Sequence, residues 1–238
     1  MSALVTEFGY FITKPGVEAW DGNSVHNKAL AKAATFAHSQ PGAQRAYLSE
    51  ELEDPHRVWI FLDWDTVDDH LKYVTTQGHK NKATLENTID FTKGGFLHVV
   101  GEGRPLTLAL SNTPSSVAQA LRAYFPSDIG PDARQAASLE VEEFMKATLS
   151  TFQDSEEAIY GWSVENDVPV IGEESKTGKV LVVFIRWSSV GASNEALESQ
   201  LFQDNLGTIR NLPGLIEMDM FHVRSRLTLE GHSAGVLK

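Results

Sequence analysis

Cysteine is absent from all 238 residues. That rules out a disulfide framework, suits a reducing compartment, and argues against a dedicated zinc site. Basic residues are scarce, 20 Lys and Arg against 32 Asp and Glu, for a formal net charge of -12. Such a balance argues against nucleic-acid and anionic-membrane partners, which require a basic footprint, and serves solubility. Long apolar runs are missing, so no membrane span is expected. Met1 to Tyr10 has no basic region followed by an apolar stretch, so no secretory signal is read there and the expected location is cytoplasmic. Cofactor motifs are missing too. Gly101-Glu102-Gly103 lacks a third glycine, and Gly172 to Lys179 has the wrong spacing and ends before a valine for a phosphate loop. The histidines show no paired metal spacing and no Gly-x-Ser-x-Gly elbow occurs, so no cofactor and no metal is expected.

What the chain does contain is a repeat. Trp59-Ile60-Phe61-Leu62-Asp63-Trp64-Asp65-Thr66-Val67 returns 123 residues later as Val182-Val183-Phe184-Ile185-Arg186-Trp187-Ser188-Ser189-Val190. Phe96-Leu97-His98-Val99 is echoed at an offset of 124 by Met220-Phe221-His222-Val223. A period near half the chain means two copies of one supersecondary unit.

Turn residues and periodicity give the order of elements. Strands are expected at Val5–Ile12, Ala43–Glu51, Arg57–Trp64 and Phe96–Gly101. Helices fall at Asn27–His38, from Thr66 as N-cap to about Thr75, and at Ala83–Phe91. In the second half, Leu106–Leu110 is a candidate strand, Ser115–Tyr124 a short extra helix, and Pro131–Phe152 a long helix opened by proline. Ile159–Glu165 and Lys179–Arg186 form a hairpin, Ser193–Leu206 is helical, and Leu215–Arg224 is the last strand. The fold class is α+β. Two tandem ferredoxin-like β-α-β-β-α-β repeats are expected, at 1–103 and 104–227, with 228–238 as a C-terminal arm.

Consecutive apolar residues in the third strand of each copy (Leu181 to Ile185 most plainly) require both faces of the sheet to be covered. Helices cover one face and the second copy's sheet the other. The expectation is therefore a monomeric pseudo-dimer, open to further homodimerisation, with a barrel cavity between the sheets.

A strand ending in Trp, followed by an acidic or hydroxylic residue, Ser/Thr-Val and a helix, resembles the dimeric α+β barrel superfamily in a tandem fused form. That group includes antibiotic biosynthesis monooxygenases and stress-responsive barrel proteins. Trp64-Asp65-Thr66-Val67, the helix through Tyr73, and Gln77-Gly78-His79 are similar to the corresponding run of the plant barrel-type polyketide cyclases. The resemblance implies that His79 is an acid/base. Thr76-Gln77-Gly78 stands where that family has His-Pro-Ala, and Phe202 occupies the place of His79 in the second repeat.

The candidate catalytic residues are accordingly His79, Tyr73, His98 and His222, histidine being the natural proton-transfer group near neutral pH. Trp59, Phe61, Trp64, Tyr10, Tyr47, Phe96 and Met220 are the candidate substrate-binding residues. His98 and His222 also read as hydrogen-bonded core histidines, and they are the side chains a haem would need. Asp63 and Arg186, at equivalent positions, are candidates for a cross-sheet pair. The first functional reading is a cofactor-independent enzyme of polyketide or other secondary metabolism. It takes a hydrophobic oxygenated small molecule through a His-assisted cyclisation, lyase or isomerase step. The alternatives are a cofactor-free monooxygenase of the antibiotic biosynthesis type and a non-catalytic ligand-binding or stress-response barrel whose cavity is filled by side chains.

Overall fold

The computed structural model describes residues 4–110 and 113–230. The first half runs β1 (Val5–Thr13), α1 (Val25–His38), β2 (Ala43–Glu51), β3 (Arg57–Trp64), α2 (Val67–Thr76), α3 (Gly78–Leu85) and β4 (Ile89–Gly101). The second runs β5 (Val117–Pro126), α4 (Pro131–Thr151), β6 (Ser155–Ser163), β7 (Val168–Val170), β8 (Glu173–Trp187), α5 (Val190–Glu198), α6 (Gln200–Arg210) and β9 (Glu217–Leu229). The strands lie in the order β5-β9-β2-β3-β1-β4-β6-β8, and β8 pairs back to β5, closing an eight-stranded barrel with β7 appended beside β8. Closure leaves no unpaired barrel edge.

The two seams between the halves are equivalent. β4 pairs with β6 at Val99–Ser163 and Gly101–Gly161, and β2 pairs with β9 from Ala46–Leu229 to Glu51–Val223. The chain's own second copy thus supplies the partner sheet. Residues 231–238 of the expected arm lie outside the described residues, while Thr228 and Leu229 belong to β9, opposite Tyr47 and Ala46.

Alternation along the strands divides the apolar residues between the barrel interior and the helix-covered outside. Phe8, Trp59, Phe61, Phe184 and Phe221 fill the interior. Trp59 stacks on Phe221 at 4.8 Å and Phe8 on Phe184 at 5.6 Å between ring centroids. Each such side chain contributes about 1.5–3 kcal/mol by leaving water. A 3-10 turn, Leu106–Ala109, packs into this core, and its Thr107 hydroxyl, with that of Thr6, donates to the buried Asp63 carboxylate. The expected cavity between the sheets is filled by this aromatic core over most of its depth and stays open at the barrel mouth.

Several elements differ from expectation. Val117–Pro126 is a strand, although its Ala, Leu, Gln and Arg favour helix. It sits between β8 and β9 in the barrel wall, buried along nearly its whole length, and tertiary pairing overrides local preference. Leu106–Leu110 is the 3-10 turn, not a strand. The third helix ends at Leu85, because Ile89 to Phe91 already belong to β4, with Ile89 facing Thr13. Asp63 and Arg186 do not pair. Arg186 instead meets Glu156 at 2.9 Å and donates to the Leu108 carbonyl at 3.1 Å.

Candidate active site

The helix that bears the site is fixed at its start. Thr66 caps α2 by accepting from the Asp69 N–H at 3.1 Å, and the Asp65 N–H donates to the Gly42 carbonyl at 2.8 Å. Gly42 has φ 87° and lies so near that a Cβ there would stand 2.7 Å from the Asp69 Cβ. Only glycine meets both conditions.

Between α1, α2, α3 and the outer face of the first half's sheet lies a cavity of about 480 Å³. Its walls are mostly apolar: Leu30, Ala33 and Ala34 from α1, Leu48, Val58 and Ile60 from β2 and β3, and Leu85 from α3. Phe96, 53 % exposed, stands with Val74 and Phe91 at its entrance. The polar groups reaching it are Glu7, His70, Tyr73, His79, Asn81 and Lys82. A mostly apolar hollow of this size with a few convergent polar groups suits a small organic ligand.

Glu7 and His70 are both buried, with the His70 Nε2 3.4 Å from the Glu7 carboxylate. The Trp64 indole N–H donates to the same carboxylate at 3.1 Å, and the Trp64 ring stacks on those of His70 and Tyr73. On its other side the His70 Nδ1 is 2.7 Å from the His98 Nε2, and the His98 Nδ1 is 2.6 Å from the Glu165 carboxylate. Since a carboxylate only accepts, neutral His98 carries its proton on Nδ1 and takes the His70 Nδ1–H at Nε2. That leaves the His70 Nε2 open to the cavity 3.4 Å from the Glu7 carboxylate, two acceptors between which an incoming proton is held. Burial holds the His70 pKa below the ordinary histidine value. Glu7 opposes this, His98 adds to it, and Glu165 opposes it. The balance favours the neutral ring. Burial also pushes the Tyr73 hydroxyl upward, helped by the Glu7 charge, while the Asn81 amide N–H donates to its oxygen. Tyr73 remains a hydrogen-bond donor at any physiological pH.

The second half carries the same frame with different chemistry. The Trp187 indole N–H donates to Gln119 Oε1 at 3.3 Å where Trp64 meets Glu7. His222 holds Glu53 at 2.6 Å, as His98 holds Glu165, but its Nε2 meets the Ser193 hydroxyl at 2.8 Å where His98 meets His70. The space under α4–α6 is occupied by Phe144, Phe202, Leu206 and Ile209, with Phe202 against Phe144, Phe152 and Trp187.

The sequence-derived candidates scatter across these regions. His79, on the first turn of α3, is exposed at the cavity's edge, and Tyr73 and Phe96 line the same cavity. Trp64 lies fully buried behind it. His98 and His222 are buried with both ring nitrogens engaged, which leaves neither in this structure facing an open cavity as a haem ligand must. Phe61 and Tyr47 belong to the barrel core. Tyr10 and Trp59 border a separate hollow of about 730 Å³ at the barrel mouth, beside the Arg122–Asp219 pair. Met220 packs on the outer face of the second half. Glu7, His70, Asn81 and Glu165 were not among the candidates. Aligning the repeats position by position and asking where a charged residue faces a neutral one would have found the first two, because Glu7 aligns with Gln119 and His70 with Ser193.

An eight-stranded barrel made of two fused ferredoxin-like repeats, with helices outside and an open helix–sheet cavity in the first half, is the dimeric α+β barrel fold in tandem form. Residues 25–83, which span α1 to α3 and hence most of the cavity wall, match the family model of the antibiotic biosynthesis monooxygenases. Among solved structures, an anthrone oxidase-like protein superimposes with a TM-score of 0.66, covering 96 % of this chain and 94 % of its own at 12 % identity. A candidate monooxygenase from Fusobacterium nucleatum gives 0.62, covering 97 % of each chain at 8 % identity. Another from Lactobacillus acidophilus gives 0.57, covering 96 % and 97 % at 8 % identity. At such identities the likeness establishes the fold alone. No curated protein sequence matches the chain. Among the described residues, no helix is long and apolar enough to cross a membrane.

Proposed function

We propose that this protein is a cofactor-independent oxygenase that oxidises a hydrophobic, hydroxylated polycyclic ketone of the anthrone type with dioxygen in the first-half cavity. The observation that carries the reading is the His70–Glu7 couple at the wall of an apolar cavity. A buried imidazole beside a carboxylate that steadies the incoming proton suits removal of a proton from carbon next to a conjugated carbonyl. The resulting carbanion is electron-rich enough to give an electron to dioxygen, and recombination forms a C–O bond. Loss of the second C–H proton with O–O cleavage releases water and leaves a new carbonyl. One substrate and one dioxygen give one quinone and one water. Apolar walls exclude bulk water from the anion, and Tyr73 donates to the developing oxyanion. The domain match over residues 25–83 and the likeness to an anthrone oxidase-like fold support this assignment.

An oxygen electrode tests it with a hydroxylated anthrone as substrate. Expected is dioxygen uptake equal to quinone formed, abolished in His70→Asn. A protein that leaves the spontaneous oxidation rate unchanged overturns the reading. A second reading is proton-transfer cyclisation without oxygen. It is favoured by His79 at the rim and by Tyr73 beside His70 on α2, their rings 6.3 Å apart, which puts proton donors and a base in one cavity wall. Turnover of a polyketone chain under argon distinguishes it.

A further inference from the structure

The hydrogen-bonded chain does not stop at the cavity wall. From His70 it passes through His98 to Glu165, which belongs to the segment after β6 in the other half of the molecule. Taking the oxygenase reading as its basis, the geometry points to a proton conduit. It moves the substrate's proton out of the first-half cavity through two imidazoles onto Glu165, and returns it later in the cycle.

Each hop is balanced. The substrate's C–H breaks as a proton joins the His70 Nε2. The His70 Nδ1–H passes to the His98 Nε2, and the His98 Nδ1–H passes to the Glu165 carboxylate. Both rings are neutral before and after, and the charge has moved from Glu165 to the substrate. Reversal delivers the proton to the peroxide oxygen as it departs. Two facts favour the conduit over a proton parked on His70. A buried imidazolium is costly, and Glu165, with 29 % of its side chain exposed, is where the chain meets solvent. Glu165 is also held in place. It accepts the His98 main-chain N–H at 2.9 Å, and its own carbonyl takes the Ser163 hydroxyl at 2.7 Å.

The Glu–His contact alone is a latch between halves, because Glu53 and His222 repeat it. What the second latch lacks is a titratable ring beyond it, Ser193 standing there instead. The charged groups facing the conduit are Glu7 from β1, Glu165, and Lys179 from β8, whose ammonium lies 3.4 Å from the Glu165 carbonyl.

Two matched variants of the full chain separate conduit from latch. Glu165→Gln and Glu53→Gln each weaken one latch and should lower the melting temperature comparably. Only Glu165→Gln should lower kcat on the hydroxylated anthrone, by about 10–100-fold with KM unchanged, within the span of a proton-transfer group. Imidazole added to the buffer should restore part of that rate and leave the wild type unaffected. Nitrogen-15 NMR of the histidines provides a readout without turnover: Glu165→Gln should change the tautomer balance of His98 and His70 together. Equal loss of activity in both variants, or no rescue by imidazole, overturns the conduit. If the wild type does not oxidise the anthrone, the oxygenase reading falls and NMR decides the conduit. An unchanged His70 signal in Glu165→Gln then refutes it.

Discussion

The two halves of this molecule share a backbone plan and differ in what occupies the space between helices and sheet. Under α1–α3 there is a cavity of about 480 Å³, bordered by Glu7 and His70. Under α4–α6 the same space holds Phe202, Phe144, Leu206 and Ile209. The substitutions go together: Glu7 against Gln119, His70 against Ser193, exposed His79 against buried Phe202. A charged couple beside open space has become a neutral couple beside packed aromatics. The physical logic is that an unfilled cavity with a buried acid and base costs stability. A fused pair can confine that cost to one half while the other contributes packing and Glu165.

The sharpest break in the comparison comes from equivalent positions on α2 and α5. His70→Asn should lower turnover by about 10²–10⁴, the share of a positioned base, whereas Ser193→Ala should leave turnover unchanged. Steady-state kinetics on both reads the contrast directly, and equal effects would mean that both halves work. Next in size is the pair at α3 and α6. Phe202→Ala should cost about 3–5 kcal/mol of stability as a large core truncation, and His79→Ala less than about 0.5 kcal/mol as a surface change. Urea unfolding of each measures this.

A swap of the acid sharpens the picture further. Gln119→Glu places a carboxylate in the packed half, where Ser193 stands in place of His70 and both nitrogens of the neighbouring His222 are already engaged, and should destabilise by about 1–3 kcal/mol at neutral pH. The loss should shrink as pH falls and the buried carboxyl takes up a proton. Glu7→Gln should cost less stability and more activity. The smallest effect is in pH. Burial keeps His70 below its ordinary value, with Glu7 opposing. The basic form therefore persists below the histidine range, and the acid limb of kcat/KM should fall below about 6.5. The same sign holds for folding. His70's contribution is fully present above its unfolded pKa and declines as pH falls through the lowered folded one. A calorimetric series across that range follows it.

How much of this was legible beforehand depended on where the repeat is regular. Trp64 and Trp187 share an offset of 123, and that places β3, most of β8 and α2, whereas the single helix expected at Ser193–Leu206 is broken at Ser199 into α5 and α6. Glu7 and Gln119, like Glu53 and Glu165, share an offset of 112. The β7 hairpin, present only in the second half, lies between the two registers and hid the equivalence. Hence local composition alone speaks for β5, and it favours helix, while the two carboxylates at the ends of the relay fall outside the offset of 123. Trp59 does border a hollow at the barrel mouth, but Phe61 lies wholly in the core, because strand alternation gives a side chain's face and not whether that face encloses space. His70 was overlooked among the polar residues of a short amphipathic helix. Only the fold shows that it is buried against His98.

The most direct measurement is a crystal structure of the protein soaked with the anthraquinone product of a hydroxylated anthrone. The account predicts one ligand, under α1–α3, with an oxygen within hydrogen-bond reach of His70 or Tyr73 and nothing under α4–α6. A ligand seated instead at the barrel mouth beside Arg122, or one that displaces Phe202 in the second half, would contradict it.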